Sequence, residues 1–283
     1  MAVYTKINVY PMSDTDSSVN LVAYIAATGH DLPFNEKRRG VLICPGGAYS
    51  FVSDREADPM AIAFLNRGYN AFVLSYTVNN KTHRGAKFPT QLLEAVKAMK
   101  FIKDNAETLH TDPDQIFVAG FSAGGHLAAS LGILYNSEYV RDAFPDMPEN
   151  YAKPLGMILA YPVITAGKYA HRGSIDNILF DEKDDETARD RVSLEKHVGR
   201  TTVPAFIWHT RPDTTVPVQN SLMLASALAD NGIGFELHVY PYGGHGASLA
   251  TEVVSSDNPM LAAWFDLAAR WMKSIKPEEK TEN

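Results

Sequence analysis

Ser122 is the residue whose surroundings point most directly to chemistry. It stands in Gly120-Phe121-Ser122-Ala123-Gly124-Gly125-His126, between a short apolar β-type run at 116–119 and a stretch at 123–134 with Ala and Leu at helical spacing. A serine on so tight a strand-to-helix turn takes a strained backbone and holds its hydroxyl out at the carboxyl end of a sheet. Gly120 and Gly124 leave room for the turn, because a Cβ at either place would meet the neighbouring strand or helix. The helix that follows aims its N-terminal amides at the same spot, where they favour developing negative charge. The five-letter pattern is weak evidence alone, and the strand before it and helix after it supply the weight.

A lone serine is a poor nucleophile near neutral pH and needs a base, a group that orients the base, and donors for an oxyanion. Asp213 is the candidate acid, in Thr210-Arg211-Pro212-Asp213-Thr214-Thr215-Val216-Pro217, just past a β-type run at 203–209. His245 is the candidate base, in Pro241-Tyr242-Gly243-Gly244-His245-Gly246, past the next run at 235–240. His245 would take the Ser122 proton during attack and return it to the leaving group, while Asp213 holds the ring and stabilises its charged form. Taken singly, an Asp before Val-Pro is often a turn residue and a His between glycines a surface turn. Together, each at a strand end, the three read as one catalytic triad. Asp190 and Asp230 compete for the acid's role, but one lies in a highly charged segment and the other at a helix end, and both read as solvated.

The oxyanion donors are sought in the amide of Ala123 and in those of Gly47 or Ala48, within Val41-Leu42-Ile43-Cys44-Pro45-Gly46-Gly47-Ala48-Tyr49. Tyr49, His126, His171 and Ser174 are candidates to line a substrate pocket, with a packing role equally open for His126. His209, at a strand end, reads as structural. Arg55 and Glu56 could pair locally or shape the cleft, and the sequence does not separate the two. Neither glycine cluster suits a phosphate, since no Gly-Lys-Ser/Thr follows and no G-x-G-x-x-G opens a helix. No histidine spacing matches a metal site, so neither metal nor cofactor is expected.

These residues need a frame. Strand-like runs at 6–10, 21–27, 41–44, 71–76, 116–119, 155–161, 205–209 and 235–240 give about eight strands. From the third onward they mostly alternate with helical patterns at 59–67, 91–107, 123–134, 218–230 and 261–274. Such alternation implies an α/β fold, a mostly parallel sheet with helices on both faces. The first two strands, joined by a polar turn, are expected to form an antiparallel edge. Two segments, at about 135–153 and 166–202, do not fit the repeat and are expected as inserts on the active-site side of a single domain, residues 1–283. The acids of the second, among them Asp176, Asp181, Glu182, Asp184, Asp185 and Glu186, read as a solvated helix face. Residues 277–283 are expected to be a frayed tail.

The 283 residues are 45% hydrophobic, ample for a core, and the formal net charge of −7 without a basic stripe argues against nucleic acid and anionic membranes as partners. Cys44 is the only cysteine, so no intramolecular disulfide can form. No segment approaches 18 uninterrupted apolar residues and the N-terminus lacks a signal pattern. A soluble cytoplasmic protein is expected, its oligomeric state left open, homo-oligomer included.

From about Val41 to the C-terminal helix the chain resembles the bacterial acetyl-xylan-esterase-like and carbohydrate-esterase-like (lipase/esterase) branch of the α/β-hydrolases. The resemblance is carried by Pro45-Gly46-Gly47-Ala48-Tyr49, Gly120-Phe121-Ser122-Ala123-Gly124-Gly125-His126-Leu127, Tyr161-Pro162-Val163-Ile164, His209-Thr210 through Val216-Pro217, and Gly243-Gly244-His245-Gly246. The chain order Ser, acid, His is that of the superfamily. The sequence departs from the family's His-Gly-Gly-Gly form in having Pro45 and Ala48 at the ends; since backbone amides do the binding, the role survives. The resemblance implies a cofactor-free serine carboxylesterase acting on short acyl esters, often acetyl groups of sugars or oligosaccharides. A peptidase or amidase on the same fold, and a non-catalytic binding protein, are the alternatives.

Overall fold

The computed structural model of the chain describes residues 5–14, 16–27, 37–80, 85–255 and 257–277. The expected frayed tail falls, beyond Pro277, outside the described residues. Among these residues eight strands form one sheet: β1 (Thr5–Pro11), β2 (Asn20–Ala26), β3 (Arg38–Cys44), β4 (Asn70–Ser75), β5 (Thr111–Phe121), β6 (Met157–Ala160), β7 (Ala205–Thr210) and β8 (Phe235–Tyr240). Their spatial order is β1-β2-β4-β3-β5-β6-β7-β8. β1 pairs with β2 and β2 with β4 antiparallel, and every later pairing is parallel. The expected α/β architecture with an antiparallel edge is thus the one observed.

Among the described residues eight α-helices accompany the strands: α1 (Asp58–Leu65), α2 (Thr90–Asp104), α3 (Ala123–Leu134), α4 (Glu138–Ala143), α5 (Arg172–Leu179), α6 (Glu186–Arg191), α7 (Gln219–Asp230) and α8 (Pro259–Ser274). Side chains alternate across the central strands, as a sheet covered on both faces requires. Leu42 and Cys44 of β3, Ile116 and Val118 of β5 and Ile207 of β7 join α2, α3 and α7 in one core. Val41, Ile43, Phe117, Phe121, Phe206 and Trp208 join α1 and α8 in the other. Both layers end beneath the carboxyl ends of the strands, so Ser122 rests on packed side chains.

Two strands differ from their sequence pattern for local reasons. β5 begins at Thr111 rather than at residue 116, because Thr111 still pairs with Arg38 before a register shift absorbs Asp112 to Gln115. β6 stops at Ala160, because Tyr161 turns to a positive φ of 38°. Its amide nevertheless donates to the Trp208 carbonyl at 2.8 Å, so the chain leaves the sheet from a fixed point.

The two extra segments part company. The one at 135–153 starts where α3 ends and rejoins the sheet where Leu155 donates to Ile116 O, midway along β5. Tyr139 packs on Phe88, and the Tyr151 hydroxyl donates to Asp104 at the far end of α2. The segment thus runs along α2 from one end to the other: Phe88, just before α2, also donates its amide to Ile178 O of α5 in the second insert, whereas Asp104 is the last residue of α2. The segment at 166–202 folds as α5 and α6 with short helical turns and returns to the Ser122 end, where Leu194 donates to Ile164 O at 3.0 Å. Four of its acids pair with cations: Glu182 with Lys87 and Arg191, Asp181 with Lys87, Asp190 with Lys196 and Asp176 with Arg172. Among the described residues no helix is long and apolar enough to cross a membrane.

Candidate active site

Ser122 joins β5 to α3 with φ 54° and ψ −117°, a conformation that costs an L-residue free energy and persists only where neighbours fix it. Three backbone hydrogen bonds do so here. The Ser122 amide donates to Ala160 O at 3.0 Å, and its carbonyl accepts from His126 at 3.2 Å and Val163 at 3.0 Å. The turn also demands bare backbone beside it. A Cβ on Gly120 would lie 2.1 Å from Gly124 O, and one on Gly124 would lie 2.1 Å from Cys44 O.

The Ser122 side chain, 8% exposed as a residue, meets His245 Nε2 at 2.7 Å, and His245 Nδ1 meets Asp213 Oδ2 at 2.7 Å. Because a carboxylate accepts, Nδ1 carries the proton and Nε2 is left to accept from the serine hydroxyl. Asp213 Oδ1 accepts the amides of Thr215 and Val216, both at 2.9 Å. Asp213 thus closes a turn with one oxygen and meets His245 with the other. Burial opposes its ionisation, but hydrogen bonds from His209 and His245 outweigh burial and hold the carboxyl well below the usual range. His209 lies beneath: its Nε2 is 2.9 Å from Val216 O and 3.4 Å from Asp213 Oδ2, and Ser221 Oγ donates to its Nδ1 at 2.7 Å. The buried His209 so props the turn that carries the acid.

The run after β3 bends through Gly47, Ala48 and Tyr49 with φ of 126°, 54° and 56°. A Cβ on Gly47 would lie 1.9 Å from Phe51 O. Among the described residues no backbone carbonyl takes the amides of Gly47, Ala48 or Ala123, so all three remain available as donors. Asn177 of α5 donates to Ala48 O at 2.8 Å, and Asn79 donates to Asn177 O at 2.7 Å. The second insert is thereby tied to this loop, a link that no spacing in the sequence announces.

The four pocket candidates fall in different places. Tyr49 and His126 are wholly buried: the Tyr49 hydroxyl donates to His126 Nδ1 at 2.9 Å and His126 Nε2 donates to Val192 O at 2.9 Å. Burial pushes the His126 imidazole down to about 4, only partly offset by the Val192 bond, so the ring is neutral. These two offer bracing between α3 and the second insert rather than an open wall. Ser174 is buried as well, capping α5 with His171, whose Nδ1 accepts from Ser174 Oγ at 2.8 Å. His171 itself is half-buried, and burial and the nearby His245 push its imidazole below the usual value. It is the member of the four that the fold brings toward His245 with exposed surface. The sequence offers Tyr161 only as part of a motif, yet its ring meets that of His245 edge to face at 5.0 Å.

Comparison with known proteins places the chain in a family. Residues 32–228 match the family model described as BD-FAE. An endo-1,4-beta-xylanase B of Butyrivibrio fibrisolvens is 39% identical over 217 residues, 76% of this chain and 33% of that protein. An acetylxylan esterase of Xylanibacter ruminicola is 29% identical over 249 residues, 86% of this chain and 47% of that one. The chain thus spans a third to about half the length of these two relatives. The crystal structure of an acetyl ester-xyloside bifunctional hydrolase from Caldicellulosiruptor lactoaceticus superimposes with a TM-score of 0.80 at 31% identity, covering 97% of this chain and 98% of that one. With the matched region reaching from before β3 to within α7, across the elbow and the acid, the chain belongs to the BD-FAE family, in the esterase branch of the α/β-hydrolases.

Proposed function

We propose that the protein is a serine carboxylesterase that removes short acyl groups, acetyl above all, from sugars or oligosaccharides. The observation that carries the reading is the hydrogen-bonded chain from Ser122 Oγ through His245 to Asp213, with 2.7 Å at each link. In the forward step Ser122 Oγ attacks the ester carbonyl carbon while its proton passes to His245 Nε2. The carbonyl oxygen becomes an oxyanion facing the amide of Ala123 and that of Gly47 or Ala48. Collapse breaks the bond to the alcohol oxygen, which leaves with the proton held by His245, and an acyl-serine remains. Water then attacks that acyl group, giving its proton to His245, and Ser122 departs with the proton restored.

The sugar part of the reading is supported by the names of the relatives and by two aromatic side chains near the site. Phe51, on the loop of the oxyanion amides, is 56% exposed, and Tyr242, three residues before His245, is 68% exposed. Such faces suit the apolar side of a sugar ring.

The test is a fluorophosphonate probe followed by an ester panel. Wild type is expected to gain one adduct by intact mass, and Ser122→Ala none. Turnover of acetyl and butyryl esters, including acetylated xylo-oligosaccharides, is expected to exceed that of long-chain esters and peptides. An unlabelled wild type would make the protein a binding module on a hydrolase fold, and a preference for lipids or peptides would overturn the substrate class.

A further inference from the structure

Beneath the site lies a buried carboxylate that the chemistry above does not use. Glu56 ends the short helical turn Asp54–Glu56 and is 3% exposed. Its Oε2 accepts the amide of Gly46 at 2.8 Å, in the loop that carries the oxyanion amides. Its Oε1 accepts the Tyr161 hydroxyl at 2.6 Å. Tyr161 Oη in turn accepts the amide of Ser248 at 2.9 Å, in the loop that carries His245, while the ring lies against the His245 imidazole. The same helical turn grips that loop twice more. Arg55 Nη1 donates to Gly246 O at 3.2 Å, and Ser248 Oγ donates to Arg55 O at 2.7 Å. Arg55 and Glu56 thus serve two different loops.

Granting the catalytic roles proposed for Ser122, His245 and the amides, we propose that Glu56 and Tyr161 are a positioning pair that fixes the oxyanion loop and the base to one another. The physical argument begins with cost. A buried carboxylate loses hydration that an apolar side chain of equal volume would never need, so stability alone is a poor reason to keep one here. What it adds is direction, since charge-assisted hydrogen bonds are short and constrain both partners. Catalysis rewards this, because proton transfer to His245 and charge stabilisation at the amides must coincide, and a misplacement of about 1 Å can cost about a hundredfold. The two loops follow β3 and β8, which lie four strands apart in the sheet, with β5, β6 and β7 between them. Tyr161 follows β6, in the middle of that gap, and its hydroxyl bridges them.

Tyr161→Phe removes the bridge while keeping the ring on His245, and Glu56→Gln keeps the shape while turning one acceptor into a donor against a donor. Turnover of p-nitrophenyl acetate would be measured per active site titrated with a fluorophosphonate, beside the melting temperature of each variant. Tyr161→Phe is expected to lower kcat about tenfold and Glu56→Gln by about ten- to a hundredfold, with KM changed less than about twofold. The double variant should lose no more than Glu56→Gln alone, because both act through one chain of bonds. A wild-type kcat per titrated site, with only the melting temperature lowered, would reduce the pair to a structural prop and overturn the proposal, as would losses that multiply. Should Glu56→Gln not fold, Tyr161→Phe decides by itself, since phenylalanine fills the same space. A wild type that neither labels nor turns over would instead refute the esterase reading.

Discussion

At the residue scale the division of labour within Asp213 makes one substitution informative. In Asp213→Asn the amide oxygen can keep the Thr215 and Val216 bonds, so the turn stays folded, while the NH2 group faces His245 Nδ1 and drives the proton to Nε2. The base then cannot accept from Ser122. Esterase kcat should fall by on the order of a thousandfold to ten-thousandfold, and the melting temperature near neutral pH should fall as well, because the NH2 group also meets the His209 Nε2 donor and the charge that His209 and His245 favour is gone. His126 gives a second, thermodynamic prediction. Its folded pKa is depressed to about 4, against about 6.5 for the unfolded chain, so between those values the unfolded state binds a proton that the folded state refuses. The His126 contribution is complete above about 6.5 and is lost as the pH falls toward about 4. The gap in urea-unfolding free energy between wild type and His126→Gln should therefore narrow from about pH 7 to about pH 4.5. A gap that widened would mean the buried ring is charged.

At the element scale the elbow is a contact between three pieces of backbone, and its tolerance can be read atom by atom. A methyl on Gly124 meets Cys44 O at 2.1 Å and Pro45 O at 2.3 Å, so α3 and the loop after β3 would have to separate. Gly124→Ala should cost about 1–3 kcal/mol or more and slow fluorophosphonate labelling. Gly199→Ala, where nothing lies within 4 Å, should leave the melting temperature and labelling as in wild type. Strands and helices were legible because alternation of period 2 and spacing of 3.6 mark them directly. The ends were less so: β6 stops early because Tyr161 reverses its backbone to reach a partner remote in sequence.

At the scale of the whole molecule the two cores are not equivalent for function. The one under α1 and α8 holds Phe121, Tyr161, Trp208 and Trp264, a run of aromatic contacts ending at His245. Trp264 is buried, stacks on Trp208 at 5.0 Å and donates to Ser248 O at 2.9 Å. The C-terminal helix therefore reaches the loop that carries His245. Trp264→Ala should lose about 3–5 kcal/mol in chemical denaturation, and kcat per titrated site should drop as well because Ser248 is released. A variant that is destabilised but catalytically intact would confine α8 to a role in folding.

The sequence by itself determined the succession of strands and helices, the antiparallel edge, and the placing of Ser122, Asp213 and His245 each just past a strand. Those features are local in cause: side-chain periodicity, glycine where a Cβ would collide, and turn residues after apolar runs. Tertiary structure alone decided that His245 Nδ1 meets the same carboxylate whose other oxygen closes a turn. It also decided that Tyr49 and His126 brace one another out of solvent, and that Glu56 is held between Gly46 and Tyr161. Each of these joins residues far apart in the chain through burial and hydrogen-bond direction, and neither quantity has a period or a spacing for a sequence to display.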